Sequence, residues 1–375
     1  MKKAINRIIT PYAKEFLRKK ILLLTGPRQV GKTHFSKNLS SKFTYLNFDN
    51  LEMRQDIINK NWERLKQLVI LDELHKMHKW KQWLKGIYDV EGISNPLLVT
   101  GSARLDTFKK TGDSLAGRFY LMHLCPFSVN EIDPKHPKEV MKQFLKLGQF
   151  PEPFLSGNET QSRLWRRSHL DIIIRQDLFD LEKVRELIGI ENLVLHLANR
   201  VGHGISYTNL AQDLSVSPPT IKKWIEILEN LYIVHVVRPY SKKLSKTILK
   251  EPKVYFHDVG QVKNQSERLE NVVANHFFKR NKFIEDTTGI KCNLYYYRDK
   301  EQREVDFIIE EDNVVKTLIE VKTSDDNLSK SLLYLKEKLS DKPQALQLVF
   351  DLHKEKNINK IPITDLSKFL CTLET

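Results

Sequence analysis

Thr25 to Thr33 read TGPRQVGKT, and the eight residues Gly26, Pro27, Arg28, Gln29, Val30, Gly31, Lys32 and Thr33 fit the phosphate-binding pattern G-x-x-x-x-G-K-[ST] without a mismatch. Such a loop binds a nucleoside triphosphate. Gly26 and Gly31 permit turns that aim successive amides at phosphate oxygens, Lys32 reaches the β and γ oxygens, and Thr33 offers a hydroxyl to Mg²⁺. ATP and Mg²⁺ are the expected cofactors. A pair of acids, Asp72 and Glu73, closes the apolar run Leu68-Val69-Ile70-Leu71. Asp72 is placed to hold magnesium through water, and Glu73 to polarise the water that attacks the γ-phosphate. Ser102, with Thr100 beside it, follows another apolar run and is the candidate sensor of the γ-phosphate.

A second chemical pattern lies near the C-terminal end. Glu304 to Ile309 alternates as a strand, Asp312-Asn313 can turn, and Leu318 to Lys322 returns as a second strand. With a period of two, Glu320 and Lys322 project from one face, and a hairpin brings Asp306 beside them. Two carboxylates suit a divalent cation, and an ammonium can position water or stabilise a pentavalent phosphate. A charged hairpin with no catalytic role is the competing reading.

The elements that must carry these residues follow from hydrophobic pattern. Ile21-Leu22-Leu23-Leu24, Leu68 to Leu71 and Pro96 to Thr100 are short apolar runs, as expected of buried strands, each ending in a turn or in small polar residues. Between the two chemical patterns lies a helix-turn-helix signal. Val194, Leu197, Ala198 and Val201 share a helical face, and Ser206 can cap a short helix bearing Leu210, Ala211 and Leu214. Ser217 can cap a third helix that starts at Pro218 and carries the stripe Ile221, Trp224, Ile225 and Leu228. Tyr232 to Val237 then has strand character, so the unit resembles a winged helix with Lys222 and Lys223 away from its core. DNA contact and packing or assembly contact are both open roles for it.

The segments GPRQVGKT, YLNFDN, LVILDELHK, LLVTGSARL, SLAGR and PFSVNEI, in this order over residues 22 to 132, resemble the prokaryotic AAA+ ATPase family with an uncharacterised nuclease-like domain at its C-terminal end. The likeness continues through GQFPEPF near residue 150 to the end of the chain. It implies a P-loop α/β core with a parallel sheet, and an arginine, Arg118 in SLAGR, acting as a finger or sensor. The Asp306, Glu320 and Lys322 set is similar to the PD-(D/E)xK nuclease core, and Glu270, in Leu269-Glu270-Asn271-Val272-Val273, matches a helix acid that completes such sites as a metal ligand. There are departures. Val305 stands in place of the proline, and Lys330 stands where some RecB-like nucleases have a glutamine four residues before Tyr334.

Composition sets the outer limits. With 375 residues and 41% apolar content the chain can bury sizeable cores and is long enough for two or three domains. Its apolar runs are far shorter than a membrane span and its N-terminal stretch lacks the apolar centre of a secretory signal, so a cytoplasmic protein with no membrane partner is expected. Cys125, Cys292 and Cys371 are too few and too scattered for a disulfide framework or a zinc site and are expected as packed thiols. A net charge of +14 fits a partner that is a polyanion. From Lys222 to Lys253, eight basic residues stand against three acidic ones, a local excess of five in a stretch that overlaps the helix-turn-helix pattern.

The expected organisation is an AAA+ P-loop core over residues 1–135, a helical connector over 136–187, a winged-helix-like module over 188–240 and a restriction-endonuclease-like α/β domain over 241–375. The corresponding function is an ATP-binding and ATP-hydrolysing protein that acts on DNA, as a homo-oligomer if Arg118 works in trans, with a C-terminal domain that cleaves phosphodiesters. The alternative is a nucleotide-dependent interaction or assembly module whose nuclease-like domain does not cut.

Overall fold

A computed structural model describes residues 5–64, 67–92, 95–101, 115–178, 184–241 and 251–373. The chain divides into two compact units, one of residues 1–126 with 230–232, the other of residues 127–229 and 233–375.

In the first unit the described residues form five strands: β1 (Ile21–Thr25), β2 (Phe43–Asn47), β3 (Leu68–Asp72), β4 (Leu97–Thr100) and β5 (Phe119–His123). They pair in the order β2-β3-β4-β1-β5, and every pairing is parallel. A parallel sheet covered on both faces has no solvent side, which is why β1, β3 and β4 are uninterrupted buried runs and not alternating ones. Helix α1 (Thr10–Leu17) precedes β1, and α2 (Lys32–Lys37), α3 (Leu51–Asn59) and α4 (Trp80–Glu91) alternate with the strands. Asn50 caps α3 by accepting from the Met53 amide, and Trp80, Leu84 and Ile87 form the buried stripe of α4. Leu24 and Asp72 both register with Thr100, so β1, β3 and β4 end side by side. Ligands of open α/β sheets bind beyond such carboxyl ends.

The described strands of the second unit are β6 (Val234–Pro239), β7 (Lys253–Phe256), β8 (Cys292–Arg298), β9 (Glu304–Glu311), β10 (Val314–Lys322), β11 (Gln344–Val349), β12 (Lys356–Ile358) and β13 (Ile361–Asp365). They form a mixed sheet in the order β12-β13-β11-β10-β9-β8-β6-β7. The hairpin expected from the sequence is β9–β10, turned by Asp312 and Asn313 at φ 46° and 65°. Asparagine and aspartate tolerate this left-handed pair, and the turn's twist suits two antiparallel strands. The 24-residue helix Gln265–Thr288, capped by Asn264, buries Asn271, Asn275, His276 and Lys279 along with its apolar residues.

Ser206 caps the helix Tyr207–Asp213, and Pro218 opens the helix Pro218–Asn230, whose Ile221, Trp224, Ile225 and Leu228 are buried as the spacing predicts. Packing there is close. A Cβ added to Gly189, in the helix Val184–Ala198, would stand 2.2 Å from the Trp224 ring. The strand that follows starts later than its sequence suggests, because Tyr232 takes a left-handed φ of 55°. It is also not confined to a wing: β6 pairs with β7 on one side and β8 on the other, so it belongs to the large sheet. Cys125 and Cys292 are buried, and all three cysteines are free thiols. Among the described residues no helix is long and apolar enough to cross a membrane.

Candidate nucleotide site and a second acidic site

The loop between β1 and α2 has the backbone that its glycines allow. Gly26 and Gly31 sit at φ 143° and 95°, and a Cβ at Gly26 would fall 2.2 Å from the Leu124 carbonyl oxygen. Only glycine fits there. Lys32 is buried, and its ammonium donates to the carbonyls of Gly26 (2.9 Å) and Pro27 (2.8 Å), spanning the loop from inside. Arg28, Gln29 and Val30 complete the turn, with Gln29 left-handed at φ 59° and Val30 fully buried.

At the end of β3 the buried Asp72 carboxylate collects three hydroxyls. Thr33 donates to Oδ2 at 2.9 Å, Tyr45 donates to the same oxygen at 2.7 Å, and Thr100 donates to Oδ1. Burial and the Asp72 bond push the Tyr45 phenol up to about 12, so it remains a donor. Thr33 and Asp72, the two magnesium candidates, are thereby joined directly, and their hard oxygen donors fit that ion. Glu73 follows in a left-handed conformation (φ 56°), its amide bonded to the Thr100 carbonyl. A non-glycine residue in this region carries strain that clusters at functional sites. Burial raises the Glu73 carboxyl above its ordinary range, against the opposing pull of Lys76, whose Nζ lies 3.7 Å away.

Ser102 lies outside the described residues. Arg118 is found far from this loop in its own chain. Its carbonyl accepts from the Ile21 amide at the start of β1, whereas the loop leaves the other end of that strand. Five residues of extended chain separate those ends by about 15 Å. The guanidinium instead grips Asp89 of α4, with Nε 2.6 Å from Oδ1 and Nη2 3.3 Å from Oδ2. Parallel pairing of β5 with β1 thus directs Arg118, expected as a finger or sensor, to the sheet end opposite its own loop.

In the second unit, the β9–β10 register puts Phe307 opposite Ile319, and the Asp306 carboxylate accepts from the Val321 amide at 2.8 Å. Glu320 is buried, with Oε1 2.7 Å from Lys322 Nζ, while its Oε2 has no hydrogen-bond partner. Glu270 joins from the helix Gln265–Thr288 through the Tyr255 hydroxyl, which donates to Oε1 at 2.6 Å. At the centre is a residue that the sequence marked only as one of the basic stretch from Lys222 to Lys253. Lys253 is buried on β7, its Nζ 2.6 Å from Glu304, 3.3 Å from Glu270 and 3.9 Å from Asp306. The period-two placement of Lys253 and Tyr255 on one strand face was the available signal, since both meet Glu270.

The electrostatics of this cluster are severe. Burial, then the charges of Glu320 and Glu270, drive the Asp306 carboxyl well above its ordinary range, and burial raises Glu320. Burial alone would lower the Lys253 ammonium, but Glu270, Asp306 and Glu304 together hold it above the usual lysine value. Among the described residues no group of three or more His, Cys, Asp or Glu side chains is gathered as a ready metal site. Lys330 opens the helix Lys330–Lys338, and Tyr334 on that helix carries the Arg303 guanidinium 3.7 Å above its ring. On the helix Pro218–Asn230, Lys222 and Lys223 are exposed, and Lys223 lies 3.4 Å from Glu186.

Residues 18–133 match the family model of an AAA domain. Residues 138–268 and 267–368 match two domains of unknown function (DUF8612 and DUF4143), so Lys253 and its acidic partners come from separately matched segments. An uncharacterized protein of Methanocaldococcus jannaschii is 25% identical over 405 residues, covering 97% of this chain and 88% of that protein. One of Mycobacterium tuberculosis is 24% identical over 306 residues, covering 77% of this chain and 67% of its own length. Among solved structures, the Thermotoga maritima RuvB Holliday junction branch migration motor shares 16% identity with a TM-score of 0.30, covering 62% of this chain and 89% of that one. Drosophila ORC bound to DNA shares 12% with a TM-score of 0.26, covering 71% and 94%.

Proposed function

We propose that this chain binds ATP with Mg²⁺ in the loop Gly26–Thr33 and hydrolyses it. The carrying observation is the 2.9 Å bond from the Thr33 hydroxyl to Asp72, which brings a magnesium-ligating hydroxyl and a magnesium-ligating acid together beside the loop lysine. Thr33 and Asp72 would hold the ion, which supplies charge neutralisation at the phosphates, while Lys32 binds the β and γ oxygens. Glu73, one residue beyond Asp72, orients and deprotonates the attacking water. Its raised carboxyl favours proton uptake. Measured ATP turnover with and without Mg²⁺ is the test. Turnover that persists in EDTA, or in Asp72→Asn protein, overturns the assignment.

A second reading is favoured by the acidic site. Asp306, Glu320 and Glu270 are not gathered into a ready metal site, but each would have to turn only an oxygen toward Mg²⁺ or Mn²⁺, and the buried Oε2 of Glu320 has no hydrogen bond to give up. Lys322 supplies the positive charge that a developing phosphorane needs. DNA is the proposed substrate, held by the basic face at Lys222 and Lys223, with 136–187, 188–240 and 241–375 as connector, helix-turn-helix and nuclease-like parts. Cleavage of linear, branched and single-stranded DNA that Asp306→Ala abolishes supports it. No cleavage, with DNA or protein binding retained, favours the interaction module. A cytoplasmic location and self-association through Arg118 in trans belong to the same proposal.

A further inference from the structure

Lys253 makes no use of its charge at the surface. Its side chain is only 2% exposed, and its ammonium faces the carboxylates of Glu304, Glu270 and Asp306. The tyrosine two residues on donates to Glu270, and the Tyr296 ring lies 5.2 Å from the ammonium. The backbone closes in as well. Gly202 approaches so near that a Cβ on it would stand 3.0 Å from Glu270 Oε2, and Gly204 bridges to Lys253.

Charge in this pocket does not balance. Glu270, Glu304, Asp306 and Glu320 are four carboxylates, and Lys253 and Lys322 are two ammonium groups, with the Arg298 guanidinium a third cation 3.7 Å from Glu304. Independently of that count, Glu320 Oε2 is buried without a partner. A buried carboxylate oxygen without a donor costs stability unless a cation or proton reaches it.

We propose that Lys253 is a resident countercation, which holds the Glu270, Glu304 and Asp306 carboxylates together in the metal-free chain and competes with a divalent cation for them. This rests on the reading of the acidic site as a metal site and adds its regulation: the site loads metal only as the Lys253 ammonium gives up part of its hold on Glu270 and Asp306. Glu304 is the nearest partner and the more exposed one, at 32% against 16% for Asp306, so it can keep the ammonium while the inner acids turn to the ion.

The test is Mn²⁺ binding to the full chain, followed by calorimetry and by the manganese spin-resonance signal, together with thermal unfolding in EDTA and in Mn²⁺. Lys253→Gln keeps a donor for Glu304 but removes the positive charge, so it should bind Mn²⁺ at least about tenfold more tightly, because a repelling charge within a few ångströms is gone. Its unfolding temperature should fall in EDTA and recover in Mn²⁺ by more than that of the wild type. Lys253→Arg keeps the charge and should not tighten binding. If wild-type protein binds Mn²⁺, Asp306→Asn abolishes that binding and Lys253→Gln binds as the wild type does, the countercation role fails while the metal reading stands. If neither wild type nor Lys253→Gln binds Mn²⁺, both fail. A Lys253→Gln chain that is unfolded in EDTA and in Mn²⁺ alike would make Lys253 a fixed structural partner and overturn the proposal.

Discussion

Thr33 and Asp72 stand 39 positions apart in the chain, and the threonine hydroxyl donates to the carboxylate at 2.9 Å. One closes the glycine loop after β1, the other ends β3, and β4 lies between those strands in the sheet. The bond joins the two groups proposed to share a magnesium ion, at the edge where Glu73 begins.

Hydrolysis should respond to these residues in separable ways. Lys32→Ala removes a phosphate contact and should weaken nucleotide binding. Glu73→Gln keeps shape and hydrogen bonding but loses the base, so turnover should fall by roughly 10²–10⁴-fold while ATP stays bound. Equilibrium binding of a fluorescent ATP analogue, set beside steady-state turnover, distinguishes the two. Parental turnover in Glu73→Gln would exclude it as the base.

Arg118 is held by Asp89 at the far end of β1, so the proposed finger role has it serve a nucleotide across a subunit boundary. Arg118→Ala should lower turnover by about 10³-fold or more and leave ATP affinity nearly unchanged. Mixing it with Lys32→Ala protein should restore part of the activity at composite sites. Full activity of Arg118→Ala alone, or no recovery on mixing, counts against a finger.

His276 should make the second unit acid-sensitive. Its Nε2 accepts from the Val129 amide at 3.2 Å, so its proton is on Nδ1, 2.7 Å from the Val272 carbonyl. Protonating Nε2 would set two N–H groups against each other. Burial pushes this imidazole down to about 4, against about 6.5 when unfolded, so below pH 6.5 the unfolded chain takes up the proton first. The stabilisation is complete above that pH and falls by about 3 kcal/mol as pH drops to 4. Denaturation midpoints of wild type and His276→Asn between pH 7.5 and 4.5 should converge toward the acid end. A constant difference would contradict the buried neutral state.

Lys279 and Glu131 form a buried ion pair at 2.5 Å, with Ser128 also accepting from the lysine at 2.9 Å. Lys279→Met leaves the carboxylate buried and uncompensated, and should cost about 3–5 kcal/mol. Lys279→Met combined with Glu131→Gln should regain part of that loss. Urea midpoints for the wild type and the two variants check it, and equal midpoints for the single and double variants would deny the coupling.

The P-loop, the apolar strands beside it, the β9–β10 hairpin and the capped helices at Ser206 and Pro218 were legible in the sequence because each depends on near neighbours: turn chemistry, period and caps act within a few residues. Residue type likewise marked Thr33, Asp72, Asp306, Glu320 and Lys322 as the groups able to meet a metal or a phosphate. What tertiary structure decided was which of them meet. Arg118 has the type of a finger, and parallel register carries it to the end of β1 away from its own glycine loop. Lys253 looks like one more surface lysine, and only the placement of β7 against the helix Gln265–Thr288 and β9 turns it into the buried partner of three acids. Such encounters depend on strand order and burial across long separations. A local pattern carries no information about the charge that a distant segment will bring, and that charge sets the chemistry of the site.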